Sequence, residues 1–422
     1  MGRRGLFEDG VRLRAEISAS GAASPRQADF SGVGPDGALA RARALVPTLR
    51  ERASRAEDAR SLLPETEADL HASGLLRIVQ PARWGGMGLD YLALFEVPAE
   101  LGRGCASTSW SCANLAIHHW MLALYDERAQ AEVWSDNPDA LIASGIAYPQ
   151  GRARRADGGF VIDGHWNFSS GVDTSQWNML AVTLREGERP TGFRMCLVPR
   201  SDFEIVDDWH VLGMRSTGSK SVRAKELFVP EYRALDMTTV RGGADFPGAR
   251  TNPHPHFRIP LSGLGSHCIA GAAVGNAQAA LEMTMAAVGE RTTNYVAARM
   301  REFQAVQLRV AAAGARVDAA RQIARGDLLE AQRIAEAGRA PTLEEKLRFK
   351  RNIAYAVQLC TEAVDTLHAM AGARGIYDHY PIQRLFRDAH SLMGHIGFSW
   401  DAQAVPWGLV ALGGDFDAPA TL

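Results

Sequence analysis

The residues best suited to proton chemistry in this chain are its histidines, and they fall into two groups. His118 and His119 are adjacent in an apolar run that also holds Trp110 and Trp120. His379, His390 and His395 come together late in the chain. Imidazole is the side chain that most readily gives and takes a proton near neutral pH. Adjacent helical positions face different ways, so one of His118 and His119 reads as a buried, hydrogen-bonded ring and the other as exposed. Zinc would need two further ligands that the spacing does not supply. Asp388, Ser391 and His395 follow an i, i+3, i+7 spacing, which on a helix makes one stripe. A carboxylate there would fix the tautomer of a proton-transferring His; a polar helix surface is the plain alternative. Trp166-Asn-Phe-Ser-Ser-Gly171 sets two hydroxyls and two aromatics beside a glycine, a lining for a planar ligand or a simple turn.

Other chemistries lack their signatures. The glycine-rich stretch 83–89 has neither Walker nor Rossmann spacing, and there is no HExxH or GxSxG. Cys105, Cys112, Cys196, Cys268 and Cys360 are odd in number and scattered, which excludes a disulfide scaffold and a cysteine zinc site and fits a reducing cytoplasm. Lys plus Arg is 46 and Asp plus Glu is 48, a net charge of -2. That balance gives no ground for a nucleic-acid or membrane-surface partner. No apolar run is long enough to cross a bilayer.

The elements that must position these residues change character along the 422-residue chain. Residues 1–35 are small and polar with no apolar period, and read as a disordered tail. Residues 36–139 are helical, with Leu39, Ala42, Leu45, Val46, Leu49 and Ala53 at three- and four-residue spacings and Pro47 and Pro64 as breaks. Residues 140–240 carry short alternating runs between turns, which predicts a β domain, a barrel or sandwich. A Pro-rich linker, 241–256, leads to long helical runs over 257–422 that predict a four-helix bundle. The fold class is therefore α+β, ordered helical, β, helical.

Read together, these segments resemble the acyl-CoA dehydrogenase superfamily over about residues 38–415. Gly164-His-Trp-Asn-Phe-Ser-Ser-Gly171 is similar to that family's flavin-binding strand. Trp209-His-Val-Leu-Gly-Met-Arg-Ser-Thr-Gly-Ser219, running into Leu227-Phe-Val-Pro230, resembles a second segment. Residues 271–278 and Gly372-Ala-Arg-Gly-Ile-Tyr-Asp-His-Tyr-Pro-Ile-Gln-Arg-Leu-Phe-Arg-Asp388 resemble two more. The dehydrogenase carboxylate usually precedes the Tyr-Pro pair, where this chain has His379. Its alternative location, 260–274, contains no Asp or Glu, although Asp378 is nearby. The dehydrogenase segment T-E-P-x-x-G-S-D is replaced by Ser144-Gly-Ile-Ala-Tyr-Pro-Gln-Gly151.

The resemblance is instead to the oxygenase branch, the two-component, reduced-flavin-dependent monooxygenases such as p-hydroxyphenylacetate hydroxylase and the seco-steroid hydroxylase. Arg387-Asp-Ala-His-Ser-Leu-Met-Gly-His-Ile-Gly-Phe398 is similar to their signature. This resemblance implies reduced flavin (FMNH2 or FADH2) from a separate NAD(P)H:flavin reductase, O2 as co-substrate, and a C4a-hydroperoxyflavin that hydroxylates a phenolic or related aromatic compound. It implies His395 as the acid beside that adduct, assisted by Ser144, and His119 (or His118) at the substrate oxygen. It implies Trp166 and Ser169 or Ser170 at the flavin edge, and Arg291 on a flavin phosphate, with Tyr295-Val296 departing from the usual pattern. Trp110, Trp120, Phe257, Arg258 and His379 are the implied substrate walls. A homotetramer packed through the C-terminal bundle is implied as well. N- or S-oxygenation and acyl-CoA dehydrogenation are the alternatives, with a silent helical assembly protein a third.

Overall fold

The computed structural model describes residues 28–292, 298–419 and 422. Of the expected tail, 1–27 lie outside the described residues, as do Tyr295 and Val296. The end of that tail is not disordered as expected: Phe30 is buried, and its backbone N–H reaches the Gly85 carbonyl at 2.9 Å. The Arg77 guanidinium lies 5.4 Å from the centre of the Phe30 ring, and this contact docks the stretch.

Among the described residues five helices come first: α1 (Pro35–Ala59), α2 (Pro64–Ser73), α3 (Ala93–Leu101), α4 (Ala106–Leu122) and α5 (Glu127–Trp134). Proline opens α1 and α2, where its missing N–H costs nothing. Strands follow: β1 (Ile142–Gly145), β2 (Gly151–Ala156), β3 (Gly159–Ser169), β4 (Trp177–Glu186), β5 (Arg189–Pro199), β6 (Glu204–Val206), β7 (Lys220–Pro230) and β8 (Ala234–Asp236). They form one eight-stranded sheet ordered β6-β7-β3-β2-β4-β5-β8. β1 and β2 lie end to end along one edge of β4, both parallel to it, and β5 runs antiparallel along the other. The expected β domain is thus one mixed sheet, whose inward side chains, among them Phe160, Trp166, Leu180 and Val222, make a small core of their own.

The C-terminal part contains α6 (Leu261–Glu290), α7 (Gln304–Glu336), α8 (Leu343–Ala371), α9 (Ile382–Met393) and α10 (Trp400–Ala411). Small residues let α6 press against α3: a Cβ on Gly275 would lie 2.5 Å from the Ala99 carbonyl oxygen. One large apolar core joins both helical regions, so α4, β1 and α6 are held against one another. No helix among the described residues is long and apolar enough to cross a membrane.

Candidate active site

The site is built where α4 meets the end of β1. His118 Nδ1 lies 2.6 Å from the Ile142 carbonyl oxygen. A carbonyl only accepts, so Nδ1 carries the ring proton and Nε2 keeps a lone pair. His118 lines a cavity of about 350 Å³ together with Met121, Tyr148, Met195, Ile269 and Lys350. Burial pushes its pKa down to about 4, so the ring is neutral at pH 7.

A second cavity of about 540 Å³ opens beside it, walled by Trp110, Phe168, Ser170, Trp209, Thr217 and Ser219. Asn114, Ser144, Ile146, His395 and Ile396 belong to both walls. The two chambers therefore meet at the Ser144 end of β1 and at His395.

His395 does not complete the expected helical stripe. The α9 helix ends at Met393, and His395 has extended backbone at the start of a short 3-10 turn. Its Nδ1 accepts the Gly397 backbone N–H at 3.1 Å, so the neutral ring carries its proton on Nε2. A backbone amide, not a carboxylate, fixes this tautomer. The ring stands edge-on to Trp110 at 5.4 Å, and burial lowers its pKa to about 4. Asp388 instead accepts the Met214 N–H at 2.6 Å, while Ser391 lines the larger chamber. The two site histidines thus present opposite faces: His118 an acceptor, His395 a donor.

The larger chamber holds a chain of hydroxyls. Trp110 Nε1 donates to Ser170 Oγ at 3.0 Å, Ser170 and Ser219 are 2.7 Å apart, Ser219 and Thr217 are 2.7 Å apart, and Thr217 donates to the Met214 carbonyl at 2.9 Å. Each hydroxyl has one proton, so the last bond fixes the direction of all the others. Ser170 must donate to Ser219, and its remaining lone pair is what it offers a ligand.

Several expected residues lie elsewhere. His119 is fully buried away from both chambers, with Nδ1 accepting Trp134 Nε1 at 3.2 Å and its ring stacked on that indole. The reason is helical phase: Trp110, Asn114 and His118 recur every four residues and share the face turned to the chambers. That spacing was the signal that selects His118 over His119. Trp166 is core and lines neither chamber: its Nε1 donates to the Ala181 carbonyl at 2.7 Å, and its ring fills the space left by Gly145, Gly151 and Gly164. Ser169 points inward and accepts Asn178 Nδ2 at 3.0 Å, because strand neighbours face opposite ways, leaving Ser170 for the chamber.

Phe257 is buried against His256, Trp120 donates to the His256 carbonyl at 3.1 Å, and Arg258 lines neither chamber. His379 is exposed beside Tyr377. Arg291 lines a separate small pocket with Tyr380 and Ile382. Phe168 lines the larger chamber, as one of the two aromatics of the 166–171 stretch; Trp209, Asn114, Tyr148 and Lys350 are wall residues that the sequence reading did not single out. No Asp or Glu lines either chamber among the described residues, and Asp378 is exposed, so the carboxylate that takes an α-proton from a thioester is missing.

Residues 40–136 match the family described as acyl-CoA dehydrogenase, N-terminal domain, and residues 267–400 match acyl-CoA dehydrogenase, C-terminal domain. Within that family the similarity is to oxygenases. The chain is 37% identical over 388 residues to the oxygenase component of an FADH2-dependent resorcinol hydroxylase from a Rhizobium species, covering 89% of this chain and 94% of that one. The chain belongs to the oxygenase components of flavin-dependent monooxygenases. Another member, the p-hydroxyphenylacetate 3-hydroxylase oxygenase component of Acinetobacter baumannii, is 31% identical over 89% of this chain and 88% of its own length. Among solved structures, the 3-HSA hydroxylase of Rhodococcus sp. RHA1 superposes with a TM-score of 0.86 at 30% identity, covering 92% of this chain and 99% of that one.

Proposed function

We propose that this chain is the oxygenase half of a two-component system that hydroxylates a phenol or related aromatic compound. The observation that carries it is the pair of neutral histidines of opposite polarity at the junction of two chambers. The larger chamber fits an isoalloxazine: its volume suits a ring system, Trp110, Phe168 and Trp209 offer flat apolar surface, and Ser170 offers an acceptor to a ring N–H. Reduced flavin, delivered by a separate NAD(P)H-dependent reductase, supplies the electrons that activate O2 for transfer of one oxygen atom to the ring.

The protein's own groups do the rest. His118 Nε2 accepts the phenol O–H in the smaller chamber and so raises electron density on the ring carbon. A thioether has no such proton to give, which favours ring hydroxylation over S-oxygenation. His395 Nε2–H stands in the shared wall as the hydrogen-bond donor toward oxygen, with Ser144 beside it. The walls of both chambers are largely apolar.

We assign the assembly to a homotetramer packed through the C-terminal bundle, supported by the exposed apolar side chains Trp400, Val405, Leu409 and Leu412 on and after α10. The five unpaired cysteines support a cytoplasmic setting.

The test supplies the protein with reduced FAD from a reductase and resorcinol as probe under air. A hydroxylated product formed in step with NADH use is the expected result. Reduction of added oxidised flavin by an acyl-CoA, with no phenol product, would replace this reading with the dehydrogenase one.

A further inference from the structure

The smaller chamber carries one charge, and that charge has no partner. Lys350 on α8 is half-buried in the wall and makes no side-chain hydrogen bond or ion pair among the described residues. One turn earlier, Lys346 is buried and equally unpaired, and Arg241 lies close enough to repel it. Burial pushes both lysines below the usual range. Other buried or half-buried cations are paired: Arg77 with Asp139, Arg387 with Glu57, and Arg321 with Glu96. Leaving a cation desolvated without an anion is costly, so a site that keeps one open is set for a ligand to complete.

The surroundings supply further open groups. At the start of α6, Ser262 and Gly263 break the helix, with Gly263 at φ +104°, and this kink packs on Lys346. Ser262 Oγ and Gln403 Oε1 both line the chamber, buried and without a hydrogen-bond partner. An ammonium and a hydroxyl donor together match a carboxylate. His118, on the opposing helix α4, is committed to the phenol oxygen under the reading above, on which this inference rests.

We propose that Lys350, with Ser262, binds a carboxylate on the aromatic substrate, so that this enzyme takes a carboxylated phenol with its hydroxyl on His118. Lys350 is then the specificity residue of the chamber. Lys346 and Arg241 reinforce the positive potential behind it.

The experiment compares 2,4-dihydroxybenzoate with resorcinol, the same ring with and without the carboxylate, in wild type, Lys350→Met and Lys350→Arg. Equilibrium binding is read from tryptophan fluorescence without flavin, and turnover with reduced FAD. Wild type should favour the carboxylated ring. Lys350→Met should weaken its binding about ten- to a hundredfold and collapse the preference over resorcinol, with the loss falling on KM more than kcat. Lys350→Arg should keep most of the preference. An unchanged preference in Lys350→Met overturns the proposal. So does weaker binding of reduced FAD with the preference intact, which would give the cation to a flavin phosphate. Lys350-dependent binding of dihydroxybenzoate with no product from either ring would uphold the anion site and overturn the functional reading instead.

Discussion

The two chambers share a wall and are built on opposite plans. In the larger one four polar side chains are joined: Trp110, Ser170, Ser219 and Thr217 bond one another in a fixed direction that ends on a backbone carbonyl and leaves Ser170 one lone pair for a ligand. In the smaller one Lys350, Ser262 and Gln403 each hold an unused group. A closed hydrogen-bond chain specifies one ligand and tolerates little change. Open groups wait for whichever ligand completes them, so discrimination between substrates belongs to the second chamber. His395 and Ser144 stand where the two plans meet.

That contrast orders the expected effects. The largest belongs to the shared wall. His395→Ala should lower product formed per NADH by about two to four orders of magnitude while reduced flavin still binds, measured by product analysis against NADH consumption. Unchanged coupling would remove His395 from the chemistry. Next, His118→Ala should cut turnover of a phenol about a hundredfold through the smaller chamber alone. His119→Ala should act differently. It strands Trp134 Nε1 in the core and costs about 1–3 kcal/mol of stability by thermal or urea unfolding. A stability loss for His118→Ala with turnover per folded molecule intact would exchange the two roles.

Ser170→Ala should act on the other chamber, weakening reduced-flavin binding about tenfold because the Trp110 N–H loses its acceptor. A substrate-only effect would blur the division between chambers. The smallest effect is in pH. Burial holds both site histidines near 4, so they are neutral in the folded chain from about pH 5 upward. Activity should be flat from pH 6 to 8 and fall only as the pH drops toward 4. Because their ordinary pKa lies above the folded one, the unfolded chain binds more protons in that window, and stability falls in the same direction. A limb near pH 6.5 would mean that one of the rings titrates as if exposed.

The helix–β–helix order was legible in sequence because apolar period and turn composition change abruptly near residues 140 and 257. The strand Gly159–Ser169 was legible too, but which of its residues meets the chamber was not. Ser169 and Ser170 differ only in pleat, and the register shift between Trp166 and Ser169 against β7 moves that phase locally. The burial of Trp166 was hidden for a related reason: three glycines spread along the chain open the space its ring fills. For His118 and His119 the deciding signal was present, in the four-residue recurrence from Trp110 through Asn114. The departure of His395 from α9 had no local signal beyond Gly394, and its amide partner appears only once the turn forms. Lys350 was invisible because a lysine on a helix is ordinarily solvated; only the fold shows it unpaired at a cavity wall.

The most direct test of the shared wall is a single turnover. Anaerobic protein holding reduced FAD and a phenol is mixed with buffer saturated in oxygen-18, and the product is read by mass spectrometry. One labelled oxygen atom in the product ring, at close to one product per flavin, is the predicted result. Quantitative labelled hydrogen peroxide with the phenol unchanged would contradict it.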